Sequence, residues 1–267
     1  MRAFACALAI SLAVSLAAAS PAAAAAPRRA ASLNLCTDEL LLALAAPGQI
    51  VSVTHLAQQP GETPLWRQAR RYRRNDGSLL SVAGLRPDLV LTMGGGARDR
   101  VQIARSLGIR AVDLPFPASL HDIESGIRTV AVALGRPAAG QALIAKLREL
   151  RRTAPRRGAD SLWLGGGGRS VTANGLAAQW MRLAGLSQRS VPGDRVSLEQ
   201  LLRAPPSILL RSDYRSREYS GEQRWLAHPL ANRTTMSRTV RTDGRLWTCM
   251  GPLMIGEVLR LRAELRR

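Results

Sequence analysis

Lysine is nearly absent from this chain of 267 residues: Lys146 stands alone, and arginine supplies the rest of the 38 basic side chains. Heavy arginine and alanine usage fits a GC-rich coding sequence. It does not explain why acids number only 19, leaving a formal charge of +19. Aromatic residues make up 4%, so each Trp or Tyr is a scarce and informative choice. Histidine is limited to His55, His121 and His228, set far apart. That argues against a bare-metal site of the zinc or manganese type, where three or four His and carboxylate ligands must converge. A hydrolase needs an activated nucleophile with a positioned base. No Gly-x-Ser-x-Gly elbow is present, and His121-Asp122 falls on an ordinary amphipathic helix. Gly165-Gly166-Gly167-Gly168-Arg169-Ser170 lacks the Lys and the glycine spacing of a Walker phosphate loop, and reads as a flexible loop.

What is present begins at the N-terminus. Met1-Arg2 is a short positive start, Phe4 to Leu16 is almost wholly apolar, and Ala17 to Ala26 offers small-x-small cleavage sites. That is the layout of a secretory signal peptide over 1–26. The run is short for a hydrocarbon core of roughly 30 Å, and small residues follow it where an anchor keeps bulky ones. A lipoprotein anchor needs a Cys just after the cleavage site. The nearest, Cys6, lies inside the apolar run, and no second long apolar segment follows. A secreted, periplasmic chain is expected, soluble once the leader is removed. A basic secreted chain rarely meets nucleic acid; anionic ligands, membrane surfaces or an acidic partner fit its charge better.

Short β-branched runs alternate with longer helical ones, the pattern of parallel α/β layers. Strands are expected at Ala30–Leu35, Gln49–Thr54, Asp88–Met93, Ile109–Leu114, Ser161–Leu164, Ser207–Arg211 and Arg245–Thr248. Helices are expected at Leu40–Ala46, Leu79–Leu85, Gly175–Ala184, Leu198–Arg203 and Leu253–Leu265. Asp88 to Met93 is nearly continuous in apolar residues, as in a strand buried on both faces. Two helical stretches follow one another without a strand between them. Ile123, Ile127, Val130 and Leu134 keep helical spacing, and Leu143, Leu147 and Leu150 share one face of Ala138–Arg152. The chain therefore reads as two α/β lobes joined by one long helix: 27–118, a helical connector 119–158, and 159–267.

Four segments, in this order and spacing, resemble the binding proteins of ABC importers for ferric siderophores, haem and vitamin B12. They are Ala31-Ser32-Leu33-Asn34-Leu35-Cys36-Thr37-Asp38-Glu39, Leu85-Arg86-Pro87-Asp88-Leu89-Val90-Leu91, Ala104-Arg105-Ser106-Leu107-Gly108-Ile109 and Trp247-Thr248-Cys249. The resemblance covers essentially the whole mature chain. It implies two Rossmann-like lobes joined by a single rigid helix, with the ligand cleft between the lobes. It also implies a monomeric, non-enzymatic protein without cofactor that captures a metal chelate, a ferric siderophore or cobalamin, and delivers it to an inner-membrane permease. A chelate sensor or scavenger without a transporter is the alternative, and a secreted hydrolase a more distant one.

In parallel α/β sheets ligands sit beyond the carboxyl ends of the strands. That rule selects Asn34 to Thr37, His55-Leu56, Tyr72 to Asn75 and Met93 to Gly96 on one wall. Gly165 to Arg169, Ser212 to Arg215 and Trp247 to Met250 form the other. Arg70, Arg71, Arg73 and Arg74 flank Tyr72; the run is either a solvated face or a guanidinium set for chelate oxygens, which Arg's planar fork suits. Arg73 and Arg74, nearest the next helix, are the expected contacts, in a loop where the resembling family places ligand contacts. Trp247 either packs at an edge or lays a flat face on the ligand, and Tyr214 is similar. Candidate ligand contacts are thus Cys36, His55, Tyr72, Arg73, Arg74, Met93, Gly94, Tyr214, Trp247 and Cys249. Cys36 and Cys249 end one strand in each lobe; they either form a bridge across the cleft or face the ligand as free thiols. The resemblance further implies a permease-docking glutamate on each lobe. Glu199 fits the second-lobe position, whereas Leu80 stands where the first-lobe glutamate is usual.

Overall fold

In the computed structural model, residues 26–95, 98–216, 218–232 and 237–267 are described. The expected leader lies outside them except for Ala26, as does Gly96.

The chain first alternates β1 (Ala30–Ser32), α1 (Leu35–Leu44), β2 (Ile50–Thr54), α2 (Trp66–Ala69), β3 (Arg73–Asn75), α3 (Leu80–Ala83), β4 (Leu89–Met93), α4 (Arg98–Ser106) and β5 (Arg110–Leu114). These five strands form one parallel sheet in the order β3-β2-β1-β4-β5. Leu89, Val90, Leu91 and Thr92 are all buried, so β4 is covered on both faces, as its unbroken apolar run requires. Two helices follow, α5 (Leu120–Ala133) and α6 (Pro137–Arg152). The second sheet comes after them, with β6 (Ala159–Leu164), α7 (Leu176–Ala184), β7 (Leu186–Gln188), α8 (Leu198–Arg203), β8 (Ile208–Ser212), α9 (Gly221–Ala227), α10 (Pro229–Asn232), β9 (Arg238–Thr242), α11 (Leu246–Cys249) and α12 (Met254–Leu265). Its strands are also parallel, in the order β7-β6-β8-β9.

α6 carries the chain from one sheet to the other. Gln49 Nε2 donates to the carbonyl of Leu134, just before α6, at 3.0 Å, fastening its start to the first lobe. At its far end the buried Arg262 of α12 donates to the Leu150 carbonyl at 2.7 Å and to Thr153 Oγ1 at 2.9 Å. Gly140 lies against Ala131 and Ile127, so the absence of a side chain lets α6 pack closely on α5.

Three edge strands depart from the sequence expectation. β3 and β7 were not anticipated, and the final strand is β9, not Arg245–Thr248. β3 reads Arg-Arg-Asn and β9 Arg-Thr-Val-Arg-Thr; an edge strand needs no continuous apolar run, and charged residues there discourage pairing with other chains. The stretch expected as a strand is instead the helical turn α11. It follows a tight turn at Gly244, whose backbone lies too close to Ser212 and Tyr214 to admit a side chain. α1 also begins earlier than expected, because the Asn34 side chain accepts from the Thr37 amide at 2.9 Å and caps it.

Candidate functional site

Sheet order fixes where a ligand can sit. In the first sheet the winding direction reverses between β1 and β4, and in the second between β6 and β8. The crevice at such a switch point lies beyond the carboxyl ends of its strands. Asn34 ties the first pair together: beside its capping contact, its Nδ2 donates to the Met93 carbonyl at 3.2 Å.

Cys36, in the first turn of α1, and Cys249, at the end of α11, form a disulfide with their Cα atoms 5.2 Å apart. The free-thiol alternative is thereby removed. The sulfurs border an apolar cavity of about 100 Å³ together with Leu40, Met93, Leu114 and Ile123, and Asp122 is its one ionisable lining residue among those described. Its walls come from both lobes and from α5. Gly94 follows Met93 at φ 135, a conformation other residues avoid, with Phe116 beside the place a Cβ would occupy.

A larger chamber of about 380 Å³ opens at the β6–β8 switch point, lined by Trp163, Gly165, Arg169, Tyr214 and Arg215 among others. Arg169 is paired with Glu222 at 2.7 Å. Tyr214 and Arg215 turn instead to the first lobe. The Tyr214 hydroxyl donates to Glu62 Oε2 at 3.0 Å and Arg215 Nη2 to Glu62 Oε1 at 2.8 Å. Beside them Arg245 donates to the Pro60 carbonyl at 2.8 Å, and within the first lobe Thr63 Oγ1 donates to Glu39 Oε1 at 2.9 Å. A strap, Pro60-Gly61-Glu62-Thr63-Pro64, is therefore held from both sides. Glu62 belongs to no sequence motif. Its only signal was its place shortly after the loop that follows β2.

Two adjacent carboxyl groups are buried here, Glu39 against the strap through Thr63 and Asp38 against Thr54 at the end of β2. Burial pushes Asp38 up to about 6, against the opposing bonds it accepts from the Thr54 amide and hydroxyl. Burial likewise pushes Glu39 up to about 7, with Thr63 pulling the other way and the charges of Asp38 and Asp243 adding to the rise.

The structure sorts the sequence candidates. Cys36, Met93, Gly94, Tyr214 and Cys249 gather around the two cavities or their rims. His55 is exposed at the end of β2, its Nδ1 3.3 Å from the Asn75 carbonyl. Tyr72 is half-buried against the main core. Arg73 and Arg74 require a correction: they belong to the edge strand β3, not to a loop, because their backbone pairs with Ser52 and Val53. Their side chains are exposed and enter no ion pair among the described residues. Trp247 is also corrected. It is buried at 8% exposure in α11, its indole N–H donates to Thr242 Oγ1 at 2.7 Å, and its ring packs 5.9 Å from that of Trp163. It sits in a helical turn and not at a strand end, and its burial matches the packing alternative for this ring.

Glu199 and Leu80 occupy matching places. α8 precedes β8 as α3 precedes β4, and each helix follows a serine whose Oγ accepts from a backbone amide three residues on: Ser197 from Gln200, Ser78 from Ser81. Both positions point to solvent, Leu80 at 86% exposure. A bond from Ser197 holds Glu199 below the usual carboxylate range, so it is charged at neutral pH.

Comparison with known proteins agrees with this geometry. A family profile described as "Periplasmic binding protein" matches residues 31–241. No curated protein sequence matches. Among solved structures, the periplasmic heme-binding protein RhuT from Roseiflexus sp. RS-1 is 24% identical at a TM-score of 0.64, covering 88% of this chain and 97% of that one. The periplasmic heme-binding protein HutB of Vibrio cholerae is 17% identical at 0.69, covering 90% and 99%. The periplasmic vitamin B12 binding protein BtuF of Vibrio cholerae is 19% identical at 0.61, covering 90% and 97%. With a profile match over most of its length and two parallel lobes facing across a cleft, the chain belongs to the periplasmic binding protein family.

Proposed function

We propose that this protein captures a metal chelate, a ferric siderophore or cobalamin, in the cleft between its lobes and delivers it to an ABC permease of the inner membrane. The observation that carries the reading is the pair of cavities at the strand ends, one apolar and one polar, spanned by contacts between the lobes. An apolar wall suits the body of a chelate, and a few convergent polar groups fix its orientation. The similar heme- and vitamin B12-binding proteins support the same class of ligand. No group of three or more His, Cys, Asp or Glu able to hold a bare ion occurs among the described residues. In this reading the ligand arrives with its metal already chelated and the protein acts as a carrier, as the family of binding proteins it belongs to suggests.

The same proposal assigns a cleaved leader over 1–26, lobes at 27–118 and 159–267, a connector at 119–158, a periplasmic location and a monomer without nucleic-acid partner. Ligand contacts are Cys36, His55, Tyr72, Met93, Gly94, Tyr214 and Cys249, with Arg73 and Arg74 reaching in from the edge strand. Glu199 is the permease-docking residue. The exposed Leu80 favours a second reading, a sensor or scavenger that serves no importer. Purifying the protein from cells fed cobalamin or ferric siderophores tests the function: a bound chelate with its own absorption band is expected, and an apo protein under every feeding condition would oppose it.

A further inference from the structure

We propose that Glu62 is the latch of the cleft: its contacts with Tyr214 and Arg215 hold the strap Pro60–Pro64 closed over lobes already pinned by Cys36–Cys249, and ligand exchange requires that latch to break. The proposal rests on the cleft being the ligand site. Two kinds of bond join the lobes beside the cavities. The disulfide is covalent and holds α1 and α11 together at a Cα separation of 5.2 Å, so the lobes cannot separate there. The others are polar and reversible, and they converge on one short strap.

Glu62 is almost wholly buried, yet its two oxygens are taken by different donors of the opposite lobe. Arg215 is exposed, lies over the Tyr214 ring at 5.2 Å, and through its other terminal nitrogen already meets Glu218 at 3.6 Å, a carboxylate that stays with it when Glu62 lets go. It also sits at φ 53, a left-handed conformation that an arginine adopts only when its surroundings impose it. A strained residue shared between two carboxylates, closing a half-buried ion pair between the lobes, is suited to reversible release. The crossover helix and the disulfide oppose wide hinge opening, leaving the strap as the element able to move. The remaining strap contacts, Arg245 to the Pro60 carbonyl and Thr63 to Glu39, keep it registered on the protein.

Hydrogen exchange on the purified, oxidised full chain tests this without any ligand. Glu62→Ala should speed amide exchange in the strap and in Asp213–Ser216 by roughly tenfold or more, the effect of losing both bonds that its carboxylate accepts, while β1 and β4 stay as protected as before. Arg215→Asn, whose new residue tolerates the left-handed backbone, should do the same should Glu62→Ala fold poorly. Wild-type exchange rates at the strap in both variants would overturn the latch. A second arm mixes cyanocobalamin and haemin with each protein in stopped flow, following tryptophan emission. Faster association in the variants is the expected result; unchanged association of a probe that does bind would overturn the gating role. A chain that binds neither probe, with exchange altered as expected, leaves the latch standing and counts against cobalamin as the ligand.

Discussion

Cys36 and Cys249, 213 residues apart in sequence, are joined by a disulfide that fastens the first helix of one lobe to the helical turn before the last helix of the other. Closing so long a loop restricts the unfolded chain strongly. The loop-entropy limit is about 5 kcal/mol, and measured disulfides more often give about 2–4 kcal/mol. The double variant Cys36→Ser/Cys249→Ser should therefore unfold at lower urea concentration by that amount. A change below about 1 kcal/mol would mean that the bridge strains the native lobes as much as it restrains the unfolded chain.

Asp38 and Glu39 make stability depend on pH in a direction opposite to that of most carboxylates. Both are raised in the folded state, from ordinary values of 3.8 and 4.5 to about 6 and about 7. Their contribution is fully present below the unfolded values and is lost as pH rises through the folded ones. Stability should thus decline between about pH 4 and pH 8. Glu39→Gln, which keeps an acceptor for Thr63, should be more stable than the wild type at pH 8 by about 1–3 kcal/mol and nearly equal at pH 4.5. Parallel urea melts at the two pH values check this; equal differences would show that Glu39 does not titrate in that window.

Arg73 and Arg74 are exposed on an edge strand, where surface substitutions usually change stability by less than about 0.5 kcal/mol. Replacing both with Ala should leave the melting temperature almost unchanged. It should weaken an anionic ferric chelate far more than neutral cobalamin, as isothermal titration will register. Equal loss for both ligands, or none, would assign the pair to the solvated face.

Docking should lean on one lobe. An exposed ion pair is usually worth less than about 1 kcal/mol, but one desolvated at an interface can matter several-fold more. Glu199→Ala is expected to abolish chelate uptake in cells while the purified protein keeps its affinity, and Leu80→Glu to strengthen docking. Normal uptake by Glu199→Ala would show either that the docking role lies elsewhere or that no importer is served.

The parts of the fold that were legible in sequence are those where burial imposes a pattern. β4 announced itself by four buried residues in a row, and α5 and α6 by apolar residues recurring each turn. β3 and β7 were not legible, because they are short, polar and held by backbone pairing. Trp247 was misread as ending a strand, since the close approach at Gly244 that turns the chain into α11 is a tertiary fact. At the site, the rule of strand carboxyl ends brought Cys36, Met93, Tyr214 and Cys249 onto one list; the first, second and last of these line the smaller cavity and Tyr214 the larger. Glu62 escaped it: its partner Tyr214 lies 152 residues away, and nothing local marks a carboxylate destined to be buried by the opposite lobe.

The most direct test is a fluorescence titration of the purified, ligand-free protein with cyanocobalamin, haemin and a panel of ferric siderophores, with free ferric ion as control. Trp163 lines the larger chamber, so an occupied cleft should quench tryptophan emission. Saturable 1:1 binding of one chelate class at about micromolar strength or tighter, with no response to the free ion, is the expected result. Failure of every chelate to bind, or binding of the bare ion alone, would contradict the assignment of this cleft to a metal chelate.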